Sequence, residues 1–234
     1  MAEILTQKEI DALIAGLPKQ LEEKPMEPAP RKKGKRVRVY DFRRPDKFSK
    51  EQIRTLQMLH DNFTRLLTTY FAGQFRTMVQ VLLASVDQMT YQEFIHSTQG
   101  PTVLAVFGLA PLSGSAVVEI SPAVTFAMID RLLGGPGKVP EKMRDLTDIE
   151  KTVMERVVEG FLGQLSEAWR NIVDVAPELE AMETNPLFVQ VVTANDMVVA
   201  VSLEVQIGEH SGLINLCLPY LLLEPIMPKL SAHH

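Results

Sequence analysis

The chain has 234 residues, 46% of them apolar, with no apolar run long enough to cross a bilayer, and a single cysteine, Cys217, which excludes a disulfide framework and a cysteine-built zinc site. The net charge of −5 is unevenly placed: residues 1–50 hold 13 basic and 8 acidic side chains, and residues 51–234 hold 11 and 21. The two parts are therefore expected to do different work. Met1–Ile10 lacks a basic stretch leading into an apolar one, so no secretory signal is expected and a cytoplasmic protein is the default.

The first predicted element is a short N-terminal helix. Thr6 and Glu9 form a capping box, and Leu5 with Ile10 occupies the positions of a hydrophobic staple. Ile10, Leu13, Ile14 and Leu17 make one apolar stripe, which Gly16 and Pro18 end. About three turns are too few for stability alone in water. The segment reads as a helix that folds in a partner's groove; docking on its own domain is the alternative. Pro18, Pro25, Pro28 and Pro30 stand among Glu, Lys and Gln, the composition of a disordered, extended linker. Arg31–Lys50 follows, with ten Lys and Arg against Asp41 and Asp46, and with Tyr40, Phe42 and Phe48 interleaved. Since the remainder of the chain is acidic, a solvated entry segment is favoured over a binder of nucleic acid or anionic membrane.

The globular part is expected from Ser49. A long helix runs to about Gly73 behind Ser49 as N-cap, with Ile53, Leu56, Leu59, Phe63, Leu66, Leu67 and Tyr70 at helical spacing. Strands are expected at Thr77–Val86, Val103–Leu109 and Ser115–Ile120, and a short helix opens at Ser121-Pro122 and runs through Leu133. A second round follows. It has a long helix over Leu146–Ile172 with a Thr147–Glu150 capping box, strands at Leu187–Thr193, Met197–Val205 and Leu213–Leu218, and a last helix from Pro219 through Leu230. The shared order of elements, with Gly114 and Gly212 98 residues apart (212 − 114) and Pro122 and Pro219 97 apart (219 − 122), points to an internal duplication whose halves share one sheet; common turn punctuation is the alternative.

Between the rounds lies Gly134-Gly135-Pro136-Gly137. It follows a helix, whereas a phosphate cradle follows a strand and opens a helix, so it is no nucleotide loop. It is either a plain helix terminator or a side-chain-poor surface that something approaches closely; three glycines around one proline favour the second. Catalytic groups are sparse. His60, His96 and His210 stand alone, His233 and His234 form a terminal pair, and Cys217 lies in an apolar run as a small hydrophobe. No metal site and no cofactor are expected.

Taken together, Ile4–Ile14, Val39–Pro45 with Phe48–Gln52, Met128–Gly137 and Glu183–Gln190 resemble the FliM family of flagellar motor switch proteins over the whole chain. The resemblance implies four parts. Residues 1–17 are a peptide for phosphorylated CheY, 18–48 a linker, 49–230 a middle domain, and 231–234 a terminal remnant. It implies an α/β fold, a pseudo-two-fold α/β/α sandwich of the kind found in CheC and CheX. It assigns CheY contacts to Ile4, Leu5, Thr6, Gln7, Glu9, Ile10, Asp11, Leu13 and Ile14, and FliG contacts to Asp130, Arg131, Gly134, Gly135, Pro136 and Gly137. It further implies a place at the cytoplasmic face of the inner membrane in the flagellar basal body, ring contacts with other copies, and FliN binding through a C-terminal domain that this chain does not include. A piece of a longer protein is therefore expected. The enzyme alternative is a CheC-like phosphatase of CheY phosphate, which needs a Glu-x-x-Asn pair. That pattern occurs nowhere in the chain: Leu59 precedes Asn62 by three residues and Val158 follows Glu155 by three. A non-enzymatic switch component is the expected function.

Overall fold

The computed structural model describes residues 47–98 and 100–231, which belong to one compact unit. The expected N-terminal helix, linker and basic segment lie outside the described residues, apart from Lys47–Lys50. In chain order the elements are α1 (Lys50–Phe75), β1 (Val79–Thr90), α2 (Tyr91–Ser97), β2 (Val103–Ala110), β3 (Leu112–Ile120) and α3 (Pro122–Leu132). They continue with α4 (Asp148–Trp169), β4 (Ala176–Glu183), β5 (Met197–Ile207), β6 (His210–Pro219), α5 (Tyr220–Leu223) and α6 (Met227–Ser231).

The two long helices start in the same way. Ser49 and Thr147 each accept a hydrogen bond from the amide three residues on, and Gln52 and Glu150 each reach back to the cap's amide. These reciprocal bonds satisfy amides that have no intrahelical partner. Arg144 fixes the second cap further by gripping Glu150 with both guanidinium nitrogens at 2.7 and 2.8 Å, and this hydrogen bonding holds the carboxyl at about 2.

All six strands form one antiparallel sheet in the order β1-β5-β6-β3-β2-β4. Alternation decides which face each side chain takes. Val103, Ala105, Phe107 and Leu109 face the layer that holds α1, α3, α4, α5 and α6, while Leu104 faces the other way. That second face is covered by α2 through Tyr91 and Phe94, and by Val189 from the loop after β4. The result is an α/β/α sandwich with unequal layers. Phe63, Phe71, Phe107, Phe161 and Trp169 are fully buried in the thicker one, each contributing about 1.5–3 kcal/mol by leaving water.

The duplication is explicit in the sheet. Exchanging β1 with β4, β2 with β5 and β3 with β6 returns the same order read backwards. The register partners Val118 and Leu216 are themselves 98 residues apart (216 − 118), so the pseudo-two-fold axis passes between them. The same offset maps the buried stripe of α1 onto that of α4: Leu56 on Met154, Leu59 on Val157, Phe63 on Phe161, Leu67 on Leu165 and Phe71 on Trp169.

Several expectations are corrected. Leu187–Thr193 is not a strand. Pro186–Phe188 is a 3-10 turn capped by the Asn185 side chain, which accepts from the Leu187 amide at 3.0 Å. The first strand of the second round is β4, Ala176–Glu183, which starts eleven residues before the expected one (187 − 176) and is not among the expected strands. The strand ending at Val86 continues to Thr90, where α2 begins on a Thr90–Glu93 capping box. The last helix is broken into α5, a 3-10 turn at Glu224–Ile226 and α6. α3 does open at Ser121-Pro122 as expected, and the Ser121 hydroxyl accepts from the Leu213 amide.

Candidate functional site

The Gly-rich segment is a knotted backbone loop at the end of α3. Gly134 and Gly137 have φ of 92° and 96°, the region where a Cβ is strained. The Gly135 amide donates to the Asp130 carbonyl at 2.7 Å. The carboxylate of Asp130 then folds under the loop and accepts from the Gly137 and Lys138 amides, both at 2.7 Å. Bonds to an ionised acceptor are among the stronger ones. A Cβ on Gly135 would overlap that carboxylate. The Arg131 stem runs beneath Gly137, and its guanidinium donates to the Thr77 hydroxyl in the turn between α1 and β1.

The six residues expected at this site are thus brought together, but with divided tasks. Asp130 and Arg131 hold the loop from within, and Arg131 ties it to the turn after α1. Gly134 and Pro136 are exposed, so the loop presents glycine backbone and the Pro136 ring outward. The nine residues expected to contact CheY, Ile4 through Ile14, lie outside the described residues.

Beside the loop, between the two long helices, lies a groove of about 500 Å³, lined by Tyr70, Phe75, Leu133, Ile149, Val153 and Arg156 among others. Leu133 is 64% and Ile149 73% exposed. Sequence reading had no signal for this groove, since its walls come from segments some 80 residues apart.

The buried titratable groups suit packing rather than chemistry. His60 is fully buried; loss of water lowers its imidazole to about 4, only partly offset by its bond to the Leu56 carbonyl at 2.8 Å. Burial pushes the Cys217 thiol up, away from the reactive thiolate. Burial also raises the Glu119 carboxyl, although Thr102 and Asn215 donate to it at 2.6 and 2.7 Å. Among the described residues no three His, Cys, Asp or Glu side chains converge as a metal site, and no helix is long and apolar enough to cross a membrane.

The sequence model of the family described as flagellar motor switch protein FliM matches residues 49–234. The chain belongs to the FliM family. It is 48% identical to the FliM of Treponema pallidum over 99% of its length and 67% of that protein's, and 46% identical to the FliM of Bacillus subtilis over 99% and 70%. Among solved structures it is similar to FliM in a FliG–FliM complex from H. pylori, with a TM-score of 0.75 and 38% identity over 77% of this chain and 99% of that one. FliY of Thermotoga maritima, at 14% identity and a TM-score of 0.71, shares the fold. This FliM-family chain is thus a component of the flagellar motor switch.

Proposed function

We propose that the chain is a non-enzymatic switch subunit that holds FliG on its Gly134–Gly137 loop and captures phosphorylated CheY through residues Ile4–Ile14. The observation that carries the first half is the loop itself: a glycine-rich surface held in shape from beneath by the Asp130 and Arg131 side chains. A preformed surface loses little conformational entropy on binding. The H. pylori relative, crystallised with FliG, supports this reading. For the second half, the amphipathic stripe Ile10, Leu13, Ile14 and Leu17 supplies a helix for a groove. Residues 18–48 act as the tether that keeps captured CheY at high local concentration beside the ring. The domain stacks on neighbouring copies, FliN is held through a C-terminal domain, and CheY binding biases the direction of rotation by favouring one of two rotor states.

The test is a pair of titrations. Gly135→Asp, which overlaps the Asp130 carboxylate, is expected to weaken FliG binding at least about tenfold while the domain stays folded by circular dichroism, because the disturbance is confined to the loop and does not reach the core. Ile10→Ala or Leu13→Ala is expected to weaken phosphorylated CheY similarly. Full FliG affinity in the folded Gly135→Asp variant removes the loop assignment, and full CheY affinity in the stripe variants removes the peptide assignment.

A further inference from the structure

We propose that the entry of the chain into the domain is a latch on its exit: Lys47 and Phe48 grip the start of α5, Gln52 ties α6 to the start of α1, and release of either grip frees the chain that leaves the domain at Ser231. The latch stands on contacts independent of the FliG and CheY assignments. It gives the tether of the proposed function a fixed root, so that whatever orders the residues before Lys47 also bears on α6.

The end of the domain needs such a tie. Pro225 and Pro228 have no amide to donate, so Tyr220–Ser231 is broken into α5, a 3-10 turn and α6. A helix of five residues has no stability of its own, and α6 stays in place through the buried Met227 and Leu230 and through a bond from α1. Gln52 uses both ends of its side-chain amide. The oxygen accepts from the Ser49 amide at 2.8 Å and completes the α1 cap, while the nitrogen donates to the Met227 carbonyl at 3.4 Å and to the Ser231 hydroxyl at 3.2 Å. At α5 the buried Phe48 ring meets Tyr220 edge to face at 5.3 Å, and the Lys47 ammonium lies 4.9 Å from the centre of the same Tyr220 ring. Phe48 is itself pinned to β1: its amide donates to the Gln88 side-chain oxygen, and its carbonyl accepts from the Gln88 side-chain nitrogen, both at 3.4 Å.

The other round shows what the latch adds. Its entry has similar parts: Leu146 is buried ahead of the Thr147 cap, and the Arg144 guanidinium lies 5.0 Å from the centre of the Phe126 ring in α3. At the 98-residue offset, however, Gln52 corresponds to Glu150 (150 − 52), and an ionised carboxylate can cap but has nothing to donate. The counterpart of α6 is residues 129–133, the end of an unbroken α3, which is held by helical bonds such as that from the Leu133 amide to the Ile129 carbonyl at 3.0 Å. The donor thus stands in the round whose last helix is broken and is missing where the helix is whole. Capping alone does not choose between Gln and Glu at this position, so the Gln52 amide answers to the second task.

Hydrogen exchange read by mass spectrometry, together with timed trypsin digestion of the full chain, tests the latch. Gln52→Glu keeps the α1 cap and removes the donor. It is expected to raise exchange at Met227–Ser231 about fivefold, the effect of losing about one net hydrogen bond from a locally opening segment. Cleavage after Lys229 is expected to quicken to a similar extent, because the buried Leu230 shields that bond until α6 lifts. Exchange at the start of α1 is expected to be no faster than in the parent. Phe48→Leu, which keeps most of the buried volume and loses the ring contact, is expected to raise exchange across Tyr220–Ser231 about threefold. Arg144→Ala, at the corresponding entry of the other round, is the control: it loosens the start of α4 and leaves α6 as in the parent. The latch is overturned if either Gln52→Glu or Phe48→Leu leaves α6 as protected as in the parent. It is overturned equally if Gln52→Glu speeds exchange at the start of α4 as much as at α6, which is general loosening rather than release.

Discussion

His60 shows what a single buried group does to the whole. Its ring lies edge-on to Phe63 and Trp169, with Nδ1 bonded to the Leu56 carbonyl and Nε2 without a hydrogen-bond partner among the described residues. Protonation would place a charge there without water, so the folded state keeps the neutral form down to about 4 against 6.5 ordinarily. The unfolded chain takes up the proton near 6.5. The stability due to the neutral ring is therefore fully present above that value and is lost as pH falls from 6.5 through 4, about 3 kcal/mol in all. Glu119 works in the opposite sense: its raised carboxyl favours folding at low pH, and that gain is lost as pH rises above 4.5. The parent's acid slope is thus a net of several groups, and a difference between proteins isolates the histidine. Between pH 7.5 and 5.0, His60→Leu is expected to lose about 2 kcal/mol less stability in urea unfolding than the parent does. Equal losses would show that His60 is not the group that resists protonation.

At the scale of elements, the contact between α1 and α4 is the most exacting feature. Gly160→Ala should gain about 1 kcal/mol in helix propensity, yet the added carbon would overlap the Tyr70 ring, and overpacking costs about 1–3 kcal/mol. The substitution is expected to destabilise the parent and to stabilise a Tyr70→Ala background, in urea unfolding of all four proteins; additive effects would refute the close approach. None of this was visible in the sequence, where Gly160 sits unremarked inside a helical pattern. The helices themselves were visible because caps and stripes are local: Ser49, Thr147 and Glu150 are read from neighbours three residues away. The edge strand β4 was not, because it buries little and its glutamates at 178, 180 and 183 resemble a solvated segment. The β-branched run at 189–192 looked like a strand, but β2 already pairs with β3 and β4 and offers it no free edge. The loop could be read from its three glycines, whereas the supporting role of Asp130 depends on backbone geometry and the groove on tertiary approach.

At the scale of the molecule, the duplication is interlaced. Among the described residues, β1 belongs to the first round yet pairs only with β5 of the second, and β4 belongs to the second yet pairs only with β2 of the first. Each half therefore gives an edge strand to the other, and the sheet closes through the β3–β6 pair between them. A half on its own would leave β1 or β4 without a ladder, expose the open edge of β2 or β5, and strip its long helix of the facing stripe that includes Phe63 against Phe161 at 5.1 Å. Such a half has the hydrophobic face of a domain without the second layer that covers it. Fragments 47–140 and 141–231 are accordingly expected to be unfolded separately by near-ultraviolet circular dichroism and to regain the parent's signal on mixing, with a midpoint that depends on concentration. Cooperative melting of either fragment alone would mean that the rounds are independent units joined side by side. Recovery only on mixing would mean that the repeat became one domain by exchanging strands, so that a substitution in one round is felt across the sheet in the other.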